Sequence, residues 1–188
     1  QYFFNALNAK SLENFEESLK FFQKCIKLDD SQAVAFYESA VINKERGNFD
    51  LATEQIKKAV LIEKDNRWFI KAYGEILFSN QDFKNAALQY KKLIALEPGN
   101  EEFYFMLSES YIYANDFGKA IAVYDELEKY KGVNKAISMQ KHKLYRQVNN
   151  IKSAIKELQS ILNTFSDDIE VMEILSELYL LNDEKEKA

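Results

Sequence analysis

The 188-residue chain carries 25 Lys and Arg against 30 Asp and Glu, a formal net charge of −5. That balance excludes the basic stripe of a phosphate-backbone binder, and no apolar run approaches the ~18 residues needed to span a bilayer. A single Cys rules out an internal disulfide, and few Gly with one Pro fit a protein of long helices.

Taken in chain order, the apolar residues follow helical spacing and never the alternation of strands. The first stretch, "YFFNALNAKS", is broken by the turn "ENFEES" and followed by a second helical pattern that closes at Asp29 and Asp30. The next reads Phe36 and Ala40, a turn at "ERGN", then Phe49, Ala52, Ile56, Ala59, Val60 and Ile62, closing at "EKDN". Gly47 suits a left-handed helix end, and the polar closing residues suit caps for the following helix. The third stretch carries Gly74, the turn "NQDFKNA", Ala86 and Tyr90, and it closes at "EPGN", where Pro98 has no amide hydrogen to donate. The fourth carries Tyr104, Leu107, Ser108 and Tyr111, the turn "NDFGKA", then Ala120, Tyr124 and Leu127. The fifth has Ile137, Leu144, Tyr145 and Val148 before "NNIKSA", and it closes at "FSDD". The last runs from Ile169 into "NDEKEKA".

The turns are copies of one another. Phe15, Phe49, Phe83, Phe117 and Ile151 stand 34 residues apart, and so do Ser18, Ala52, Ala86, Ala120, Ala154 and Ala188. A second small position recurs in the first helices at Ala6, Ala40, Gly74, Ser108 and Ser176. Each unit is therefore a helix, a tight turn and a second helix, with small residues where the two backbones come closest. One such pair cannot bury both of its apolar stripes, and stacking at a fixed step buries them together.

The period and the residues Tyr104, Leu107, Ser108, Tyr111, Phe117, Ala120, Tyr124 and Leu127, with Gly74, Ala86, Tyr90 and Pro98 in the preceding unit, resemble the tetratricopeptide repeat (TPR) family. The resemblance implies an all-α, right-handed α-solenoid of stacked helix-turn-helix repeats. It covers the whole chain as one array, with repeats at 1–32, 33–66, 67–100, 101–134 and 135–168 and a partial repeat at 169–188. The fifth repeat departs from the pattern, with Lys141 and His142 where a Leu and a small residue are expected. Its first helix is expected to form but to pack loosely or at a changed angle. Gln1 in place of Met, and a last repeat that stops early, imply a piece of a longer protein.

Nothing in the sequence assembles into a catalytic, cofactor or metal site. His142 is the only His, and its neighbours Lys141 and Lys143 offer neither nucleophile nor carboxylate. Cys25 falls at a small buried position, where a structural thiol is expected. No phosphate-binding Gly loop is present, and Asp29–Asp30 and Asp167–Asp168 read as helix caps without calcium-loop spacing. The chain is accordingly read as no enzyme, without cofactor, metal or nucleic-acid partner. A catalytic role would require a further domain beyond residue 188.

Function is then sought on the surface. The resemblance implies that first helices line a concave face. Projected onto that face are Phe3 and Leu7; Tyr37, Val41 and Lys44; Trp68, Lys71, Glu75 and Phe78; Glu102, Phe105, Glu109, Ile112 and Tyr113; and Met139, Lys143 and Arg146. An exposed aromatic strip marks a protein or peptide site, with Tyr37, Trp68 and Phe105 as the expected anchors. The competing expectation is that these rings pack between helices. The Lys and Asn or Arg clamp by which some family members grip a C-terminal carboxylate is absent. The overall style of the chain is similar to long exported TPR proteins of Gram-negative bacteria, often periplasmic lipoproteins. This implies a place in the cell envelope, with the cytoplasm as the alternative. Two roles are expected: a groove module that binds a partner segment, or a structural subunit of an envelope or outer-membrane assembly, docked by its outer face, edges or missing parts.

Overall fold

The computed structural model describes residues 1–182. Among them are eleven helices and no strand. They are α1 (Tyr2–Ser11), α2 (Phe15–Leu28), α3 (Ala33–Glu45), α4 (Phe49–Ile62), α5 (Arg67–Ser79), α6 (Phe83–Leu96), α7 (Glu101–Tyr113), α8 (Phe117–Lys131), α9 (Lys135–Gln147), α10 (Ile151–Thr164) and α11 (Ile169–Leu181). Contacts divide the chain into two compact units, one from Gln1 to Pro98 and one beginning at Gly99. In the first, hairpins α1–α2, α3–α4 and α5–α6 stack through α2 on α3 and α4 on α5. In the second, hairpins α7–α8 and α9–α10 stack through α8 on α9, and α11 packs on α10. Among the described residues no helix is long and apolar enough to cross a membrane.

The recurring turn is one local structure made five times. Glu13, Gly47, Gln81, Asn115 and Asn149 all have φ between 57° and 75°. Each donates its amide to the carbonyl three residues back, and the residue after it donates to the carbonyl five residues back, as Gly47 does to Lys44 (3.0 Å) and Asn48 to Asn43 (2.8 Å). This closes the orphan carbonyls of the first helix. The residue that makes the second of these bonds also starts the next helix. Asn14, Asp82, Asp116 and Asn150 each accept a hydrogen bond from the amide three residues on. One Asn or Asp therefore ends one helix through its backbone and caps the next through its side chain. Asn48 is the exception. Its amide side chain donates to Asn43, which is itself buried and hydrogen-bonded to Gln55. Between repeats, Asn66, Asn100, Asn134 and Asp168 cap the first helices.

The small residues lie where the repeat predicts. Ala6, Ala40, Ser18, Ala52, Ala86, Ser108, Ala120 and Ala154 are fully buried, Ser176 in the last helix is only half-buried, and Ala188 lies outside the described residues. The hydroxyl of Ser18 donates to the Ala6 carbonyl at 2.8 Å, so even this polar residue is satisfied across the hairpin. At Gly74 the approach is closest: a Cβ built there would stand 2.4 Å from the Tyr90 ring. Around these contacts lie the large buried side chains, such as Ile56 and Ile76 in the first unit and Leu127, Leu158 and Leu178 in the second. Each contributes on the order of 1.5–3 kcal/mol by leaving water.

In the fifth repeat the two departing residues are both buried. Lys141 is buried in the second unit, and its Nζ lies 2.7 Å from Asp125 and 2.9 Å from Glu128 on α8, and 2.8 Å from Glu157 on α10. Burial pulls the ammonium down, but the hydrogen bonds it donates to the three carboxylates outweigh this and hold it above the usual lysine range. Burial also lifts Glu157 above the usual carboxylate range, against the opposing pull of Lys141. His142 fills the small-residue position. It is buried, and its Nδ1 makes no well-formed hydrogen bond. Burial pulls its imidazole below the usual range, against a partial pull from the Met139 backbone, and Arg146 and Lys143 add to the burial.

Candidate functional site

In the first unit the residues projected onto the first-helix face fall into two sets. Tyr37, Lys44 and Glu75 come together around one cleft of about 340 Å³ between α3 and α5. Val41, Phe49, Ala72 and Ile76 supply its apolar lining, and Glu45 and Ser79 stand beside them. The Lys44 ammonium donates to Glu75 at 3.0 Å, and Lys71 reaches the other oxygen of the same carboxylate at 4.0 Å. Lys10 and Glu38 make a similar link from α1 to α3 at 2.6 Å. Pairs this exposed are worth ~0–1 kcal/mol each. At the cleft, Lys44 and Lys71 offset the Glu75 carboxylate beside the apolar wall, and Glu45 stands at its edge.

Tyr37 is half-buried, its ring stacked on Phe69 of α5 with centroids 5.0 Å apart. Burial pushes its phenol up, and Glu38 pushes the same way. One face of this ring is therefore packed between helices, as the competing expectation held. Trp68 stands apart from the cleft at the start of α5. It is 61% exposed, with the Arg67 guanidinium 5.3 Å from its ring. Phe78 meets Phe83 edge-on at 5.2 Å across the α5–α6 hairpin. Phe3 likewise meets Phe22 within the α1–α2 hairpin, and Leu7 remains exposed.

In the second unit the projected residues differ in burial. Phe105 is half-buried, edge-on to Tyr124 at 5.6 Å. Met139 packs on the apolar cluster around Leu158 and Val171. Ile112 is half-buried, whereas Glu102, Glu109 and Tyr113 are exposed. Lys143 and Arg146 are exposed and form no ion pair among the described residues. Sequence reasoning missed the cleft residues Phe49, Ala72 and Ile76 and the Lys10–Glu38 link. The apolar three read as ordinary repeat-core positions, and the link joins residues 28 apart, a separation without a helical signature.

Cys25 is buried in the first unit, and burial pushes its thiol up, away from the reactive thiolate. Asp168 caps α11, and Asp29 accepts from the Ser31 amide and hydroxyl in the loop before α3. Among the described residues no group of three or more His, Cys, Asp and Glu is arranged to hold a metal ion.

Two family models, both described as tetratricopeptide repeat, match residues 2–32 and 77–141. Solved tetratricopeptide proteins share the fold. The chain belongs to the tetratricopeptide repeat family. It is similar to the crystal structure of MamA, at 17% identity over 90% of this chain and 92% of that one, with a TM-score of 0.70. It is also similar to YrrB, described as a TPR protein with an unusual peptide-binding site, at 17% identity over 92% and 89% of the two chains, with a TM-score of 0.68. A TPR protein from Parabacteroides merdae matches at 11% identity over 97% and 72%, with a TM-score of 0.69. No curated protein matches significantly. At these identities the likeness is one of fold. TPR proteins are generally interaction scaffolds without catalysis, and this fold is consistent with that class.

Proposed function

We propose that this chain binds a partner protein or peptide segment on the first-helix face of its first unit, with the α3–α5 cleft as the anchor site. The observation that carries this reading is an open, largely apolar cleft beside which Lys44 and Lys71 are paired with Glu75. Such a cleft gains from an apolar side chain that fills it and displaces water. The similarity to YrrB, whose own structure is described as having a peptide-binding site, supports the same class of ligand.

The test is capture of partners from a native lysate by three baits: wild type, Val41→Glu and Leu88→Glu. Val41 lines the cleft, and Leu88 is an exposed residue on α6. A partner lost with Val41→Glu and kept with Leu88→Glu, with all three melting alike, supports the cleft. A partner held equally by all three refutes it and favours docking through another surface, as for a structural subunit of an envelope assembly.

A further inference from the structure

The small position of the first helices changes its type in one repeat. Ala6, Ala40, Gly74 and Ser108 hold it in the first four and Ser176 in the last, but the fifth has His142, the chain's only His. By register its neighbour across the hairpin is Leu158, the counterpart of the Tyr90 that meets Gly74. The imidazole is 2% exposed, and its Nδ1 finds no well-formed hydrogen bond among the described residues. Packing alone does not ask for this residue. Ser108 fills the same place with a hydroxyl that donates to the Ala120 carbonyl, whereas His142 leaves a buried polar atom unpaired, at a cost in stability.

The surroundings make a charge at this place expensive. Lys141, the preceding residue and so about 100° away around the helix, takes Asp125 and Glu128 of α8 and Glu157 of α10. Tyr145 faces that same group of charges. Asp168 and Glu170 of α11 meet Lys135 at the start of α9. The charges that act on the imidazole are instead those of Arg146 and Lys143, both cations of its own helix. A neutral imidazole fits here. An imidazolium is a buried cation near two others, with no carboxylate among the described residues to meet it. Burial holds the group neutral to lower pH than in the unfolded chain, with Arg146 and Lys143 adding to this and the Met139 backbone opposing it. Its contribution to stability is therefore complete above the ordinary histidine value and is lost as pH falls through that value toward the folded one.

We propose that His142 is an acid-sensitive release built into the second unit. Neutral, it closes the contact between α9 and α10. Protonated, it parts the two helices and bares the apolar cluster of Leu158, Ile161, Val171 and Leu178, against which Met139 and Tyr145 of α9 pack. The first unit has no histidine and keeps its structure over the same range. The device is independent of the α3–α5 cleft.

Hydrogen exchange of the full chain tests this at pH ~7.5 and ~5.5, read by mass spectrometry on peptic fragments and corrected for the intrinsic rate. Exchange in α9 and α10 is expected to speed up in acid, approaching the roughly tenfold that one pH unit below the ordinary histidine value permits. Exchange in α3 to α6 is expected to stay unchanged. Two variants replace the titrating group. His142→Ser supplies the residue that α7 has at this place, and His142→Gln keeps a long polar side chain. Each is expected to abolish the acceleration, even where it shifts protection equally at both pH values. Glu157, lifted by burial, acts in the opposite sense. Both variants retain it, so the difference from wild type reads the imidazole alone. The proposal fails if the second unit of the wild type shows no acceleration, if the first unit accelerates as much, or if either variant accelerates as the wild type does.

Discussion

The third and fifth repeats place different residues at the same two register positions, and each holds its hairpin by different physics. In the third, Gly74 lets Tyr90 approach until no side-chain atom could be inserted, and the contact is dispersion and exclusion of water. In the fifth, His142 takes the glycine's place and Lys141 stands beside it as the centre of three carboxylates from two other helices. The repeat therefore demands a filled and satisfied interface, and it leaves the chemistry of the filling open. An apolar contact tolerates being isolated. A buried ion does not, because each charge depends on partners supplied by other elements.

That contrast breaks most sharply at Lys141. Replacement by Met leaves Asp125, Glu128 and Glu157 facing one another without a cation, and a loss of about 3–5 kcal/mol is expected at neutral pH. The sign with pH is opposite to that of ordinary acid denaturation. Glu157 already stands above the usual carboxylate range through burial, so the folded form binds its proton at higher pH than the unfolded chain does. Stability then rises as pH falls through the folded value toward the unfolded one. Urea melts of Lys141→Met at neutral and mildly acidic pH should show the deficit relative to wild type shrinking in acid. A deficit that stays constant would mean that the carboxylates are not the cause. In the wild type, Lys141 itself contributes fully below the ordinary lysine value and loses its contribution only as pH rises through its raised folded value.

Gly74→Ala is a smaller test of the other half. A methyl group would improve helix propensity by ~1 kcal/mol, but it would land 2.4 Å from a buried aromatic ring. Overpacking of ~1–3 kcal/mol should exceed the gain. A net drop in melting temperature with a changed near-ultraviolet tyrosine signal is expected, and a rise in melting temperature would show that Tyr90 moves aside freely.

The smallest effect sharpens the comparison at the turns. Gln81 holds a left-handed backbone at φ 61°, where Gly47 in the preceding repeat needs no Cβ. Gln81→Gly should raise stability by about 1 kcal/mol, and Gly47→Gln should lower it by a similar amount. Thermal melts of the two variants check this, and equal signs would contradict it.

Much of this was legible from the amino acids because it is local. The turn geometry depends on residues within six positions of one another, so "ERGN" and "NDFGKA" announce both the end of one helix and the cap of the next. The small residues at Ala52, Ala86 and Ala120 recur for the same reason at every hairpin and are buried as their spacing demands. Of the ring residues projected for binding, Trp68 and Tyr113 remain largely open, while Tyr37 and Phe105 have one side packed against Phe69 and Tyr124. Which side of a ring is covered depends on residues some 20 to 30 positions away, and helical periodicity carries no signal at that range.

The amino-acid sequence by itself determined the hairpin, its period and the family, because a 34-residue register repeats the same short-range bonds whatever surrounds it. Tertiary structure alone decided that Lys141 is buried among three carboxylates and that Lys44 and Glu75 pair beside an apolar cleft. A side chain's partners on neighbouring helices are set by how the hairpins stack, and it is those partners that separate a core residue from a binding one.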